Sequence, residues 1–208
     1  TIGIVVKARM QLVPVHVHTR MLVMPIHDLE KLPEVLQIVM AHNPSSVETF
    51  DKHTYRHAKK FLPEDTLTIQ SLFKPQTEFI VIAEFSEDTQ VKTDAVAHTA
   101  MKALEHLHEE VLYCTDVRFV TSVWNVRRSS FRVMRDATFD NPHKRAVPCI
   151  EDIIVPVSHF DRFIPRLIEL LKRYNIDYGF HGHIGDGALR VIPVFDFTHK
   201  DIALALIS

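Results

Sequence analysis

The sequence predicts an α+β domain whose mainly antiparallel β-sheet is covered by helices on one face and contains ferredoxin-like β-α-β units. Segments with strand alternation and segments with helical spacing follow one another in a mixed order along the chain. No internal repeat of fixed period and no low-complexity linker separates them. The 208 residues, of which 46% are hydrophobic, are enough for one compact domain with its own core.

Eight segments have the alternation or the short apolar run that is typical of a β-strand. TEFIVIAEFS is the clearest of them, Pro14 ends the first, and SVETFDK is short enough to be a turn instead. In chain order, the predicted strands are residues 3–15, 16–26, 46–52, 77–86, 112–122, 151–157, 176–187 and 188–197.

Six segments are predicted to be helices, of which the first has apolar residues at helical spacing and the second is polar. Asp28, Ser158 and Thr198 are candidate N-caps, and Pro44 lies just beyond the end of the first helix. The predicted helices are residues 28–43, 52–62, 88–111, 123–139, 159–175 and a last one that begins at 198. The stretches at 63–76 and 139–149 are predicted to be irregular surface segments.

Composition excludes several classes of protein. The 24 Lys and Arg residues nearly balance the 26 Asp and Glu residues and form no long basic block, so nothing indicates nucleic-acid binding. No apolar run reaches the roughly 18 residues of a transmembrane helix, and no signal peptide is recognisable. Cys114 and Cys149 are expected to be reduced thiols, which indicates a cytoplasmic protein.

The first candidate site is a glycine cluster. Four of the five glycines fall between Gly179 and Gly187, together with His181, His183 and Asp186. Residues two apart on a strand point to the same side, so the two histidines could share a ligand. Successive glycines would let a flat or charged group lie on backbone N–H groups. The alternative is a glycine-rich hairpin with two incidental histidines, and the spacing leaves both interpretations open.

The second candidate site is a helix with Trp124, Arg127, Arg128 and Phe131. A guanidinium can hold a carboxylate in a bidentate fork, and flanking aromatic rings would partly desolvate it. The alternative is an amphipathic helix with solvated arginines. Three weaker pairs are interpreted as structural: His16 and His18, His106 and His108, and Glu151 and Asp152.

Five stretches of the chain together resemble the C-terminal domain of the FAD-linked oxidases that act on 2-hydroxy acids. This group includes D-lactate dehydrogenases, the glycolate oxidase flavin subunit and D-2-hydroxyglutarate dehydrogenase. The matching stretches, in order, are TIGIVVKARMQLVP, SSVETFDK, WNVRRSSF, EDIIVPVSHFDRFI and GHIGDGALRVIPV. Their order and spacing along nearly the whole chain make the resemblance specific.

The resemblance implies the substrate domain of an FAD-dependent 2-hydroxy-acid dehydrogenase or oxidase. Hydride would pass from the 2-hydroxy carbon to flavin and leave a 2-oxo acid. Residues 1–13 are expected to be the closing strand of an upstream FAD-binding domain that would hold most of the FAD. Residues 14–208 are expected to be the substrate, or cap, domain, truncated at its C-terminus and inactive as an isolated fragment.

The resemblance also assigns roles residue by residue. Arg127 matches the carboxylate-binding arginine, and His183 matches the first metal-ligand histidine and is expected to face the substrate hydroxyl as the catalytic residue. Arg190 stands where the second metal-ligand histidine is found. A guanidinium cannot coordinate a cation, so Arg190 is expected to bind substrate and supply the positive charge of a zinc or manganese ion. The alternative is a metal held by His183, with His181 as the replacement nitrogen ligand. The expected cofactor-binding residues are Gly3, Ile4, Gly185, Asp186 and Gly187.

The implied partners are a small 2-hydroxy acid and an electron acceptor, and the oligomeric state is left open, with a homodimer among the options. An alternative function from another class is a stand-alone ferredoxin-like binding or regulatory module without catalysis.

Overall fold

The computed structural model describes residues 4, 6–12, 15–107, 110–139 and 141–198. Its strands are β1 (His18–Ile26), β2 (Ser46–Asp51), β3 (Phe79–Glu87), β4 (Leu112–Cys114), β5 (Lys144–Ala146), β6 (Ile150–Ile154), β7 (Asp177–Gly182) and β8 (Ala188–Asp196). Its α-helices are α1 (Leu32–Met40), α2 (Lys52–Phe61), α3 (Pro63–Thr68), α4 (Gln90–Leu104), α5 (Val117–Arg128), α6 (Ser130–Ala137) and α7 (Phe160–Arg173).

All strands join one antiparallel sheet in the order β4-β1-β3-β2-β7-β8-β5, and β6 pairs with β8. The first four strands have the order 4-1-3-2, with α1 and α4 as crossovers. This is the ferredoxin-like arrangement. In the second half, β6-α7-β7 forms another β-α-β unit, with β8 between its two strands. The predicted fold class is therefore confirmed.

Helices cover both faces of the sheet, whereas the sequence predicted one covered face. On one face, Leu36 of α1, Ala97 of α4 and Phe160 of α7 pack in one buried cluster. On the other face, Ala58 of α2 and Val126 of α5 pack in a second cluster. The unbroken apolar runs of β1 and β3 are the physical reason, because alternate residues of these strands must be buried in opposite layers.

Several predicted boundaries are wrong, and most of the errors involve capping. Helix α5 begins at Val117, and not at residue 123, because the Asp116 carboxylate accepts a hydrogen bond from the Phe119 N–H at 2.7 Å. This cap leaves only Leu112–Cys114 for the predicted strand. The predicted long helix then breaks at Ser129 into α5 and α6.

The other predicted caps lie close to, but not at, the helix starts. Helix α4, predicted to start at residue 88, begins at Gln90, and Thr89 caps it. Asp28 accepts from the N–H of Glu30 in a turn before α1, and Ser158 lies in a short turn before α7. The predicted irregular segments contain α3 and β5, and the helix predicted from Thr198 onwards lies outside the described residues.

The first predicted strand is not formed by residues 4 and 6–12. Their apolar side chains, including Ile4, Val6, Met10 and Leu12, are between 80% and 93% exposed, so no strand within the described part of the chain covers them. Elsewhere in that part, no helix combines the length and the apolarity needed to cross a bilayer.

Candidate active site

The candidate site forms where β2, the end of α5 and the end of β7 meet. In the β2–β7 pairing, Thr49 lies opposite Gly182, so Glu48 falls beside His183. Arg127 occupies the last turn of α5, where a basic side chain favourably opposes the helix dipole. The sheet register and one helix end therefore bring these groups together from distant parts of the sequence.

Glu48 bridges the two functional groups that the sequence predicted. Its Oε1 lies 2.5 Å from Nδ1 of His183, and its Oε2 lies 2.5 Å from Nη2 of Arg127. The side chain of Glu48 is only 9% exposed, whereas that of His183 is 56% exposed. The arrangement has a buried carboxylate behind an imidazole that is open to solvent.

The guanidinium of Arg127 is largely buried and is held from two sides. Besides the bond to Glu48, Nη1 lies 3.3 Å from Nδ1 of His181, and the buried Nε has no hydrogen-bond partner among the described residues. Burial lowers the pKa of Arg127, and the adjacent Glu48 carboxylate opposes that shift. Because an arginine stays protonated in proteins, the group remains a cation with a donor to spare.

His181 is a neutral structural partner of Arg127. Burial, followed by the charges of Arg127, Arg190 and His183, lowers the pKa of His181 to about 3. A neutral ring can accept at Nδ1 from the Arg127 guanidinium, which places its own proton on Nε2. The charges of Arg127 and Arg190 therefore favour the neutral form of His181.

Arg190 lies opposite His181 in the β7–β8 pairing, so the two side chains are on the same face of the sheet. Arg190 is exposed, and its charge reaches both His181 and the buried Arg127. The described residues thus place Arg190 near Arg127 and His181, and Glu48 joins Arg127 to His183.

The glycine cluster is explained by internal packing and not by an open backbone cradle. A Cβ on Gly182 would lie 2.3 Å from the Ala188 carbonyl oxygen, and one on Gly187, which has a left-handed φ of 75°, would lie 2.3 Å from the carbonyl oxygen of Val155. The N–H groups at positions 186, 187 and 188 donate to carbonyls of the same turn. The expected cradle of free N–H groups is therefore not formed by these three.

No group of three or more His, Cys, Asp or Glu side chains in the described ranges is arranged to hold a metal ion. Arg127 and Arg190 also place positive charge near His181, and a guanidinium cannot coordinate a cation. The donor set present does not fit a zinc or manganese site.

The chain matches the family model described as "FAD linked oxidases, C-terminal domain" over residues 15–206. The chain belongs to this family. The resemblance seen in the sequence is thereby confirmed.

Two curated relatives of this FAD-linked oxidase domain are both named D-2-hydroxyglutarate dehydrogenase. The protein from Haemophilus influenzae is 24% identical over 169 residues, which cover 76% of this chain and 16% of that protein. The protein from Pseudomonas putida is 25% identical over 207 residues, which cover 94% of this chain and 20% of that protein. The chain thus spans a fifth or less of the length of these relatives.

Solved structures share the fold of this FAD-linked oxidase domain. A 4-ethylphenol oxidase from Gulosibacter chungangensis superposes with a TM-score of 0.63 at 9% identity, over 95% of this chain and 44% of that one. An alkyldihydroxyacetonephosphate synthase gives 0.62 at 12% identity, over 92% and 39% of the two chains. At this identity, the likeness concerns the fold alone.

Other predicted site residues lie apart from the cluster. Arg128 is exposed and stacks over the Trp124 ring at 4.8 Å, and the Trp124 indole N–H donates to Glu84 at 3.3 Å. Ile4 is 92% exposed, and Gly3 lies outside the described residues.

Glu48 is the residue of the candidate site that the sequence did not single out. The available signal was its position as an acidic residue within SVETFD. This segment forms β2, a strand in the middle of the sheet, and both faces of that strand are buried. A carboxylate at such a position needs a partner, because a buried charge without one is costly.

Proposed function

We propose that this chain is the substrate domain of an FAD-dependent dehydrogenase that oxidises a 2-hydroxy acid to a 2-oxo acid. D-2-hydroxyglutarate is the first candidate substrate, given the names of the two relatives, and D-lactate and glycolate are the alternatives. The observation that carries the proposal is a buried arginine next to an open histidine, both bonded to Glu48, in a domain of this family.

In this proposal, Arg127 binds the C1 carboxylate of the substrate. Its guanidinium is desolvated and cannot rotate freely, because Glu48 and His181 hold two of its nitrogens. Arg190, exposed at the same face, adds positive charge that attracts an anionic substrate. His183 accepts the proton of the C2 hydroxyl at Nε2 as hydride leaves C2, so the substrate loses one hydride and one proton.

FAD, when bound, supplies the acceptor for that hydride. Of the three turn residues predicted to bind FAD, Asp186 is exposed and is proposed to contact the cofactor. Gly185 and Gly187 pack against the protein. Residues 1–13 are proposed to complete the sheet of an upstream FAD-binding domain. The exposed alternate side chains Ile4, Val6, Met10 and Leu12 support this part of the proposal.

The proposal includes a cytoplasmic location and an electron acceptor that reoxidises the FAD. It leaves the homodimer as an option. The rival, a stand-alone ferredoxin-like module without catalysis, would need no buried arginine beside an open histidine.

Paired substitutions in the complete protein test the carboxylate site. Arg127→Met should raise KM for D-2-hydroxyglutarate at least tenfold, because the substrate carboxylate would lose its charged partner. Losing one member of a buried charge pair typically costs about 2–5 kcal/mol. Arg128→Met is the matched control, because Arg128 is the adjacent, exposed arginine. Steady-state kinetics, with folding checked by circular dichroism, would measure both. Equal KM values for the two variants would contradict the assignment.

A further inference from the structure

We propose that Glu48 is a positioning residue which holds Arg127 with one carboxylate oxygen and, with the other, holds His183 as the tautomer that carries its proton on Nδ1. The consequence for turnover rests on the proposed function. The consequence for the tautomer depends only on the contacts within this chain.

The tautomer follows from the bond between Glu48 and His183. An ionised carboxylate can only accept hydrogen bonds, so the imidazole nitrogen 2.5 Å from its Oε1 must carry a hydrogen. That nitrogen is Nδ1. In the neutral ring, Nε2 is then the acceptor, and the ring that carries it is more than half exposed. A free neutral histidine side chain prefers the opposite tautomer, so the protein must impose this one.

Arg127 makes the second oxygen of Glu48 a hydrogen-bond acceptor. The Glu48 side chain is almost fully buried, and Nη2 of Arg127 lies 2.5 Å from its Oε2. A guanidinium has donors only, so Oε2 of Glu48 must accept from it. Arg127 is itself held at Nη1 by the neutral ring of His181. The chain of contacts from His181 through Arg127 and Glu48 to His183 therefore fixes each donor and acceptor.

The bridging geometry matches the chemistry of a 2-hydroxy acid. Such a substrate has its carboxylate and its hydroxyl on adjacent carbon atoms. The two groups proposed to receive them, Arg127 and His183, are bonded to the two oxygens of one carboxylate. Glu48 thereby fixes the spacing between the anion-binding group and the proton acceptor, which neither group could set alone.

Nuclear magnetic resonance of the 208-residue chain tests the tautomer without any assay of activity. The ring nitrogen and carbon shifts of His183 would be recorded near pH 9, well above the ordinary imidazole pKa of about 6.5. The wild-type chain should show a proton on Nδ1. In Glu48→Gln, the amide oxygen should turn to Arg127 and the amide N–H₂ to His183, which should move the proton to Nε2. Glu48→Asp should retain the Nδ1 proton.

Glu78→Gln is the matched control, because Glu78 pairs with Lys52 in a different part of the fold. This variant should leave the His183 shifts unchanged. A wild-type ring that carries its proton on Nε2 would overturn the proposal even if no variant folded. An Nδ1 proton that persists in Glu48→Gln would overturn it as well.

Kinetics of the complete protein give the second measurement. Glu48→Gln should lower kcat for a 2-hydroxy acid at least tenfold and also raise KM, while Glu48→Asp should recover part of kcat and Glu78→Gln should change neither. Unchanged kcat in Glu48→Gln would overturn the positioning role. If the tautomer moves as expected but the wild-type protein oxidises no 2-hydroxy acid, then the proposed function fails and the assignment of Glu48 stands.

Discussion

At the scale of single residues, the site depends on a buried ion pair whose members cannot be removed one at a time. Arg127→Met should lower the free energy of unfolding by about 3–5 kcal/mol, because it leaves the Glu48 carboxylate buried without its cation. The double variant Arg127→Met with Glu48→Leu should recover most of this loss, since apolar side chains can replace a buried pair.

Urea unfolding of the 208-residue chain at pH 7 measures these differences. Arg128→Met is the control and should change stability by about 1 kcal/mol or less, because the exposed Arg128 contributes mainly a stacking contact with Trp124. A double variant as unstable as Arg127→Met would show that the cost does not come from the unpaired carboxylate.

The residues of the candidate site were predictable to the extent that they belong to recognisable motifs. Arg127, His183 and Arg190 were singled out in this way, and their roles stay predictions, while the fold joins Arg127 and His183 through Glu48. Glu48 was missed because its role depends on the β2–β7 register, which a local pattern does not encode. The glycine pattern left two interpretations open, because the crowding of Gly182 against Ala188 and of Gly187 against Val155 exists only after β7 has paired with β8 and Val155 has bonded to the turn between them.

At the scale of elements, α2 is tied to the start of β7 by a cluster around Asp177. The carboxylate of Asp177 lies 3.0 and 3.1 Å from Nη2 of Arg56, 3.3 Å from Nε2 of His57 and 3.5 Å from Nδ1 of His53. Burial alone would raise the pKa of Asp177, but the contacts with His53 and His57 and the charge of Arg56 outweigh this effect and hold that pKa well below its ordinary value.

The cluster predicts a specific loss of stability in acid. A carboxyl group whose pKa is lowered by folding stabilises the protein above its unfolded pKa of about 3.9, and this contribution is lost as the pH falls towards the folded value. Between pH 5 and pH 3, the wild-type chain should therefore lose more free energy of unfolding than Asp177→Asn does. Glu169→Gln, at an exposed site on α7, should behave like the wild type. Equal losses in the wild type and Asp177→Asn, measured by urea unfolding, would contradict this account.

Element types were easier to predict than element ends. Short apolar runs identified β1 and β3, and helical spacing identified α1 and α7. The break between α5 and α6 at Ser129 was not predictable from spacing, because apolar residues such as Val126 and Val133 keep helical spacing across it. Helix α6 packs on β7 and β8, which are distant in sequence, so a local pattern does not encode its direction.

At the scale of the whole molecule, the charges of the site predict how the complete protein responds to metal removal. Turnover should survive treatment with EDTA, because the guanidinium groups near His181 and His183 disfavour a bound cation. Activity assays before and after chelation, together with elemental analysis, would measure this. Loss of activity that zinc or manganese restores would contradict the prediction and would make His181 the first residue to re-examine as a ligand.

The central claim is that this domain presents a 2-hydroxy acid to FAD. The most direct test is anaerobic mixing of the complete, oxidised protein with D-2-hydroxyglutarate while the flavin absorbance is followed. We expect one flavin to be bleached for each 2-oxoglutarate formed, and we expect Arg127→Met to need a far higher substrate concentration for the same rate. A protein that binds FAD but stays oxidised with D-2-hydroxyglutarate, D-lactate and glycolate alike would contradict the claim.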